Sequence, residues 1–300
     1  MALKMVVYSV LVFGLIGIVV GFPVASAQIA APTGQNIAPV YEGWEKNPDG
    51  SFNMLFGYFN RNWSEQIDLA LGPDNNIEPG GPDYGQPTHF YPRRNRFVFR
   101  VPVPADFGDQ ELVWTLTSNG VTERAYGSLL IDYFTDDTVI MNNKGAGGGG
   151  GGMYELAGNI PPNLTVDGPK TRYVEVGELL NLTAFASDDD GLPKPRGLPN
   201  IPFQFRVTPD SASGLWLSWF VYRGTGDQVT FDPAQISVWE DMRDGSNSNW
   251  ASGWSAPPTP DDGKWNVSAT FNEPGNYVLR AWADDGGLMA YEDINVVVSR

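Results

Sequence analysis

Seventeen residues, THFYPRRNRFVFRVPVP from Thr88 to Pro104, contain the single histidine of the chain and four of its nineteen basic side chains. A histidine beside a serine can act as a general base, and His89 is the sole residue available for that role. No G-x-S-x-G turn, H-E-x-x-H helix or phosphate-binding glycine loop accompanies it, so hydrolase or nucleotide chemistry has no supporting motif. The competing reading of His89 is a turn residue between Pro87 and Pro92. A second group is aromatic. In SNSNWASGWSAPPTPDDGKW, Trp250, Trp254 and Trp265 stand among Ser, Gly, Asn and Pro. Exposed there, Trp250 and Trp254 would stack on sugar rings or enter a partner; buried, they would pin a long loop to its own fold. Trp265 enters the next strand and reads as core. A third group is acidic: Asp188, Asp189 and Asp190 in one turn, Asp284 and Asp285 in another. Carboxylates suit Ca2+, which takes about six to eight oxygens, although Asp-Asp-Gly is also ordinary turn chemistry. No EF-hand loop supports the metal, because the nearest segment, DNNIEPGG from Asp74, has Pro79 where the loop glycine belongs.

These side chains must be held by strands. SFNMLFGYF, NRFVFRVPV, QELVWTLTS and GSLLIDYF alternate with period two between Gly, Pro, Asn and Asp, and Asn119-Gly120 between two of them marks a tight hairpin. No segment past the leader sustains a 3.6-residue period, so the expected class is all-β, built as antiparallel sandwiches. At strand period Phe97, Phe99, Val101 and Val103 share a core face. Arg94, Arg96, Val98 and Arg100 share the other. Such an arginine row either pairs with acidic cross-strand neighbours or docks an acidic surface, on the second domain or on another copy of the chain. Pro102 and Pro104 lack N–H groups and put the strand's end at an edge.

Lys4, the apolar run Met5 to Phe22 and Ala25-Ser26-Ala27 form the pattern of a secretory signal peptide over residues 1–27, expected to be cleaved, with a retained anchor as the alternative. Its removal takes one positive charge from a net of -16, leaving -17. A balance this acidic repels phosphate backbones and disfavours nucleic acid. No second apolar run of that length occurs, so no membrane span is expected after the leader. Cysteine is absent, which removes disulfides and thiolate chemistry and suits a bacterial exported protein. The sequons at Asn62, Asn163, Asn181 and Asn266 matter only where a host glycosylates them. The run from Gly145 to Gly152 is Gly and Ala alone, a flexible coil. It separates an N-terminal sandwich over 36–143 from a second over 161–300, with 144–160 as linker.

In the second part, FNEPGNYVLRAWADDGG follows a strand, GLWLSWFVYRG, that carries Trp219. Over about residues 159–300 the chain resembles bacterial immunoglobulin-like domains of the PKD and cadherin-like kind. That resemblance implies two sheets, Trp219 in the buried-tryptophan position and Tyr277 at a tyrosine corner. It also implies that the turns with Asp188–Asp190 and with Asp284 and Asp285 lie at one end, where the five carboxylates would share a Ca2+. The first part is similar to a module of exported bacterial proteins that brings no activity with it. The expected function is a non-enzymatic binding or structural protein of the bacterial envelope, periplasmic or extracellular, offering loops to a glycan or protein partner or to a second copy. The alternatives are a carbohydrate-active enzyme using a carboxylate pair and a plain spacer.

Overall fold

The computed structural model describes residues 31–146 and 156–300. The expected signal peptide and the centre of the glycine run lie outside the described residues. Among the described residues no helix is long and apolar enough to cross a membrane.

The fold is all-β. In the N-terminal half, β1 (Ile37–Lys46), β2 (Phe52–Asn60) and β6 (Arg93–Val103) form one antiparallel sheet, and β4 (Asn75–Glu78), β7 (Leu112–Ser118) and β8 (Val121–Gly127) form another. A short pair, β3 (Ile67–Asp68) with β5 (His89–Phe90), lies beside them. Trp114 joins the two sheets, with Phe99 5.0 Å and Phe56 6.0 Å away, both edge to face. The β7–β8 hairpin turns on Asn119 and Gly120, whose φ of 48° and 77° are the left-handed pair that a two-residue hairpin requires. One short helix, α1 (Asp137–Asn143), was not anticipated. It is a single stretch of seven residues, too short to show periodicity, and Asp136 caps it by accepting from Val139 N.

In the C-terminal half, β9 (Asn163–Val166), β11 (Leu179–Ser187), β13 (Val229–Asp232) and β14 (Lys264–Phe271) make one four-stranded sheet. The other holds β10 (Thr171–Glu175), β12 (Trp216–Arg223), β15 (Gly275–Asp284) and β16 (Met289–Ser299). All pairs are antiparallel except β10 with β16. An opening strand divided between the two sheets, with this strand order, is an immunoglobulin-like topology. Trp219 is fully buried between the sheets with Phe271, Leu279 and Ile294. The Tyr277 hydroxyl donates to the Glu273 carbonyl at 3.0 Å, the corner bond expected for that position.

β12 explains how the halves meet. Its odd positions, Leu217, Trp219 and Val221, face the sandwich interior. Its even positions Trp216, Phe220 and Tyr222, with Trp282 of β15, join the same apolar cluster as Phe97, Val98 and Phe99 of β6. The second face of the sheet is therefore covered by the N-terminal half, and the two halves share a core. The cavities left along this seam measure about 20 and 30 Å³, each about one water in size. Both ends of the expected linker are packed as well: Lys144, Ala146, Leu156 and Asn159 are all buried.

Candidate functional site

His89 is 2 % exposed. Its Nδ1 donates to Asp68 Oδ1 at 2.6 Å, and its Nε2 lies 2.7 Å from Gln66 Oε1, so both ring nitrogens are engaged and no serine is among their partners. It belongs to a strand pair and not to a free turn. Gly226 of the other half packs against the ring, where a Cβ would overlap it. The arginine row divides its partners. Arg94 reaches Glu42 at 2.6 Å and Arg100 reaches Glu45 at 2.8 Å, both on β1, while Arg96 reaches Glu240 of the C-terminal half at 2.5 Å. The outer face of β6 is thus both a cross-strand pairing surface and a docking surface within the chain. Val98 is not exposed with the arginines; it is buried in the seam.

Trp250 is 5 % exposed and lies under the Arg96 guanidinium, 5.2 Å from ring centre to Cζ. It fastens the aromatic loop to the seam and offers no face to a ligand. The five aspartates are not brought together as ligands. Asp190 accepts from Ile160 N and Asp189 from Asn163 Nδ2, both at 2.7 Å. Asp284 is buried with Lys144 at 2.6 Å, and Asp285 accepts from the N–H groups of Gly287 and Leu288. Asn159, which donates to Asp285, and Ile160 fill the space between the two turns. Among the described residues no three acidic or histidine side chains group closely enough to hold a metal. Burial, and then the neighbouring Asp284 charge, push the Asp285 carboxyl up to about 7. The cavity beside Asp284 is the 30 Å³ one, so this acid pair receives no substrate.

A cleft of about 570 Å³ opens where the two sheets of the C-terminal half part beside β12. Leu217 and Val267 form its floor, and the long connection from β13 to β14 passes over it. Trp265, inward on β14, and Trp254, half-buried in the aromatic loop, are its aromatic walls. Trp254 stands edge-on to Trp216 at 6.3 Å and donates from Nε1 to Asn247 Oδ1 at 3.3 Å. Gln235, Asn247 and Asn266 also line it, with their amides engaged inside the chain: Gln235 accepts from Trp219 N and donates to the Pro233 carbonyl, Asn247 accepts from Trp254 Nε1 and donates to the Gln235 carbonyl, and Asn266 accepts from the Thr183 hydroxyl. Lys264 is the single charged residue of the lining, which contains no carboxylate. A pair of aromatic walls in a cleft with one charged residue suits an uncharged ligand with C–H faces.

Arg280 was missed from sequence. It is 2 % exposed, sits between the rings of Tyr222 and Tyr291 at 3.5 and 4.0 Å, grips Asp293 with two bonds and donates to the Val98 carbonyl across the seam. The available signal was the run WLSWFVY, apolar at both parities, which marks a strand covered on both faces.

No protein-family model and no curated protein matches the chain. Among solved structures it is similar to domains 4 and 5 of the S-layer protein SbsC, at 9% identity over 89% of this chain and 98% of that one, with a TM-score of 0.24. It is also similar to the Yersinia pseudotuberculosis adhesin InvE, at 11% identity over 89% of this chain and 60% of that one, with a TM-score of 0.23. A complex of titin M10 with an obscurin-like 1 immunoglobulin domain gives 14% identity over 47% of this chain and 95% of that one, with a TM-score of 0.24. Likeness at this level carries no argument about activity, and the immunoglobulin-like reading of the C-terminal half stands on its own strand order and corner bond.

Proposed function

We propose that this chain is an exported, non-enzymatic binding protein of the cell envelope whose C-terminal half takes a neutral glycan in the cleft beneath the aromatic loop. The observation that carries the reading is the cleft's lining: two tryptophans, one charged residue and no carboxylate. Sugar rings lay their C–H faces on indoles. Glycoside hydrolysis needs two carboxyl groups flanking the scissile bond, and this lining provides none. An acidic chain also disfavours anionic polymers, which leaves uncharged ones. The short Asp-Asp-Gly turn and tyrosine corner support a PKD-like or cadherin-like subclass for the sandwich that carries the cleft.

The test is retention of the chain on insoluble neutral polysaccharides, with Trp254→Ala and Trp265→Phe beside the parent. Trp254→Ala is expected to weaken retention at least ~10-fold, because one good aromatic contact is worth on the order of 1 kcal/mol or more. Trp265→Phe, which keeps an apolar wall, should lose less. Equal retention of all three, with thermal midpoints unchanged, overturns the glycan reading.

A further inference from the structure

We infer that the ligand of this cleft is a linear, uncharged oligosaccharide long enough to continue into a second cleft, where the buried Asp68–His89 pair positions Gln66 to receive it; this rests on the glycan reading above. The second cleft, about 230 Å³, lies on the other side of the Gln235–Ile236 segment, and both of those residues line both clefts. It is smaller than the roughly 300 Å³ at which independent small-molecule sites begin, so it serves as an extension of the first. Trp239 is its aromatic wall, backed by Tyr91 in a stack of 5.0 Å with the planes 12° apart. Phe231 and Gln66 face the same space.

Gln66 gives the lone histidine a role. His89 Nε2 lies 2.7 Å from the Gln66 side-chain amide, Asp68 accepts from His89 Nδ1, and Gly226 leaves room for the ring. One end of the Gln66 amide is thereby fixed on the ring, and no protein group among the described residues takes its other end. A hydroxyl in the cleft, able both to donate and to accept, is the partner that free end suits. His89 does not reach the ligand; it is a positioning residue.

The alternative occupant, an extended peptide, is disfavoured at the same place. On the free side of β12 the N–H groups of Trp219 and Val221 already donate to Gln235 Oε1 at 2.8 Å and to the Tyr91 hydroxyl at 3.0 Å, so strand addition finds no donors there. Pro233, Pro257 and Pro260 in the first cleft have none to offer. A charged polymer is disfavoured because Lys264 in one cleft and Asp227 in the other are the only charges among the residues that line them.

Calorimetric titration of the full chain with cello-, xylo- and chito-oligosaccharides of about two to six units decides the matter. Affinity for one series should rise at least ~10-fold with length, as the chain reaches the second aromatic wall. Gln66→Ala and Trp239→Ala should remove that gain while leaving the shortest binding member unchanged, and His89→Phe should behave as Gln66→Ala does. Trp254→Ala should weaken every member. If Trp239→Ala lowers the thermal midpoint, Gln66→Ala, a half-buried polar side chain, decides alone. Affinity independent of length, with Trp254→Ala still harmful, overturns the extension and leaves the glycan reading standing. Binding of a proline-rich peptide instead of any sugar, or of none of the probes, overturns both.

Discussion

Asp285 shows how far burial can move a single group, and its displaced titration makes the stability of the folded chain depend on pH. Its carboxyl is fully buried and held at about 7 against an ordinary 3.8, through burial first and the Asp284 charge second, while Lys144 and the N–H groups of Leu288 and Gly287 pull the other way. Raised affinity for a proton in the folded state means that the folded chain holds more protons than the unfolded one between about pH 4 and pH 7. The stabilisation is complete below about pH 4 and is lost as pH rises through about 7. Asp285→Asn should therefore raise the thermal midpoint at pH 8 by several degrees, on the order of a few kcal/mol, and raise it by less than half as much at pH 5. The buried Asn159 Oδ1 has no partner, and a turned Asn159 amide would accept from the new side-chain N–H. A midpoint that falls equally at both pH values would show the carboxylate to be the form the fold needs. From sequence these aspartates read as calcium ligands because the immunoglobulin-like resemblance implies that the two turns share an end of the sandwich. It does not show Lys144, 140 residues away, entering between them.

At the scale of the element, β6 is where the sequence pattern was most legible and where it broke. The Phe97, Phe99, Val101 and Val103 face was plain from alternation, and all four are buried. The pairing with β2 nevertheless slips between Phe56 and Tyr58, and Phe97 takes a φ of 52°, so the strand bulges opposite Gly57. Alternation gives no notice of a bulge, because the residues on either side keep their polarity. The bulge has a use: Glu42 of β1 crosses over β2 to reach Arg94 and to accept from Phe97 N. Gly57 is the gap it crosses, since a Cβ there would overlap Glu42 Oε1 and the Asn95 carbonyl. Gly57→Ala should cost ~3 kcal/mol in urea unfolding, mostly by displacing a half-buried ion pair. In a Glu42→Ala background the same change should cost clearly less, because one of the two overlaps has gone. Equal costs in both backgrounds would assign the effect to the backbone alone.

At the scale of the molecule, the glycine run invited a picture of two independent sandwiches, and composition alone supports it, since such a run cannot pack. Packing is decided instead by β12 and β15, whose outward residues Trp216, Phe220, Tyr222 and Trp282 complete the apolar cluster of the N-terminal half. The C-terminal half keeps its own core around Trp219, Phe271 and Leu279 without them. The dependence is therefore one-sided. The full chain should unfold in a single calorimetric transition, with equal calorimetric and van't Hoff enthalpies. Phe220→Asp buries a carboxylate among Tyr91, Trp282 and the rest of that cluster, which disfavours the seam by several kcal/mol and leaves the inward face of β12 intact. It should split the transition in two, with the N-terminal half melting first and the C-terminal half close to the parent midpoint. Arg280→Met should act in the same direction but less, because it removes the Val98 bond and leaves Asp293 unpaired yet still partly in contact with solvent. Two separate transitions in the unmodified chain would mean that each half completes its core alone, and the seam would then be a contact between finished domains.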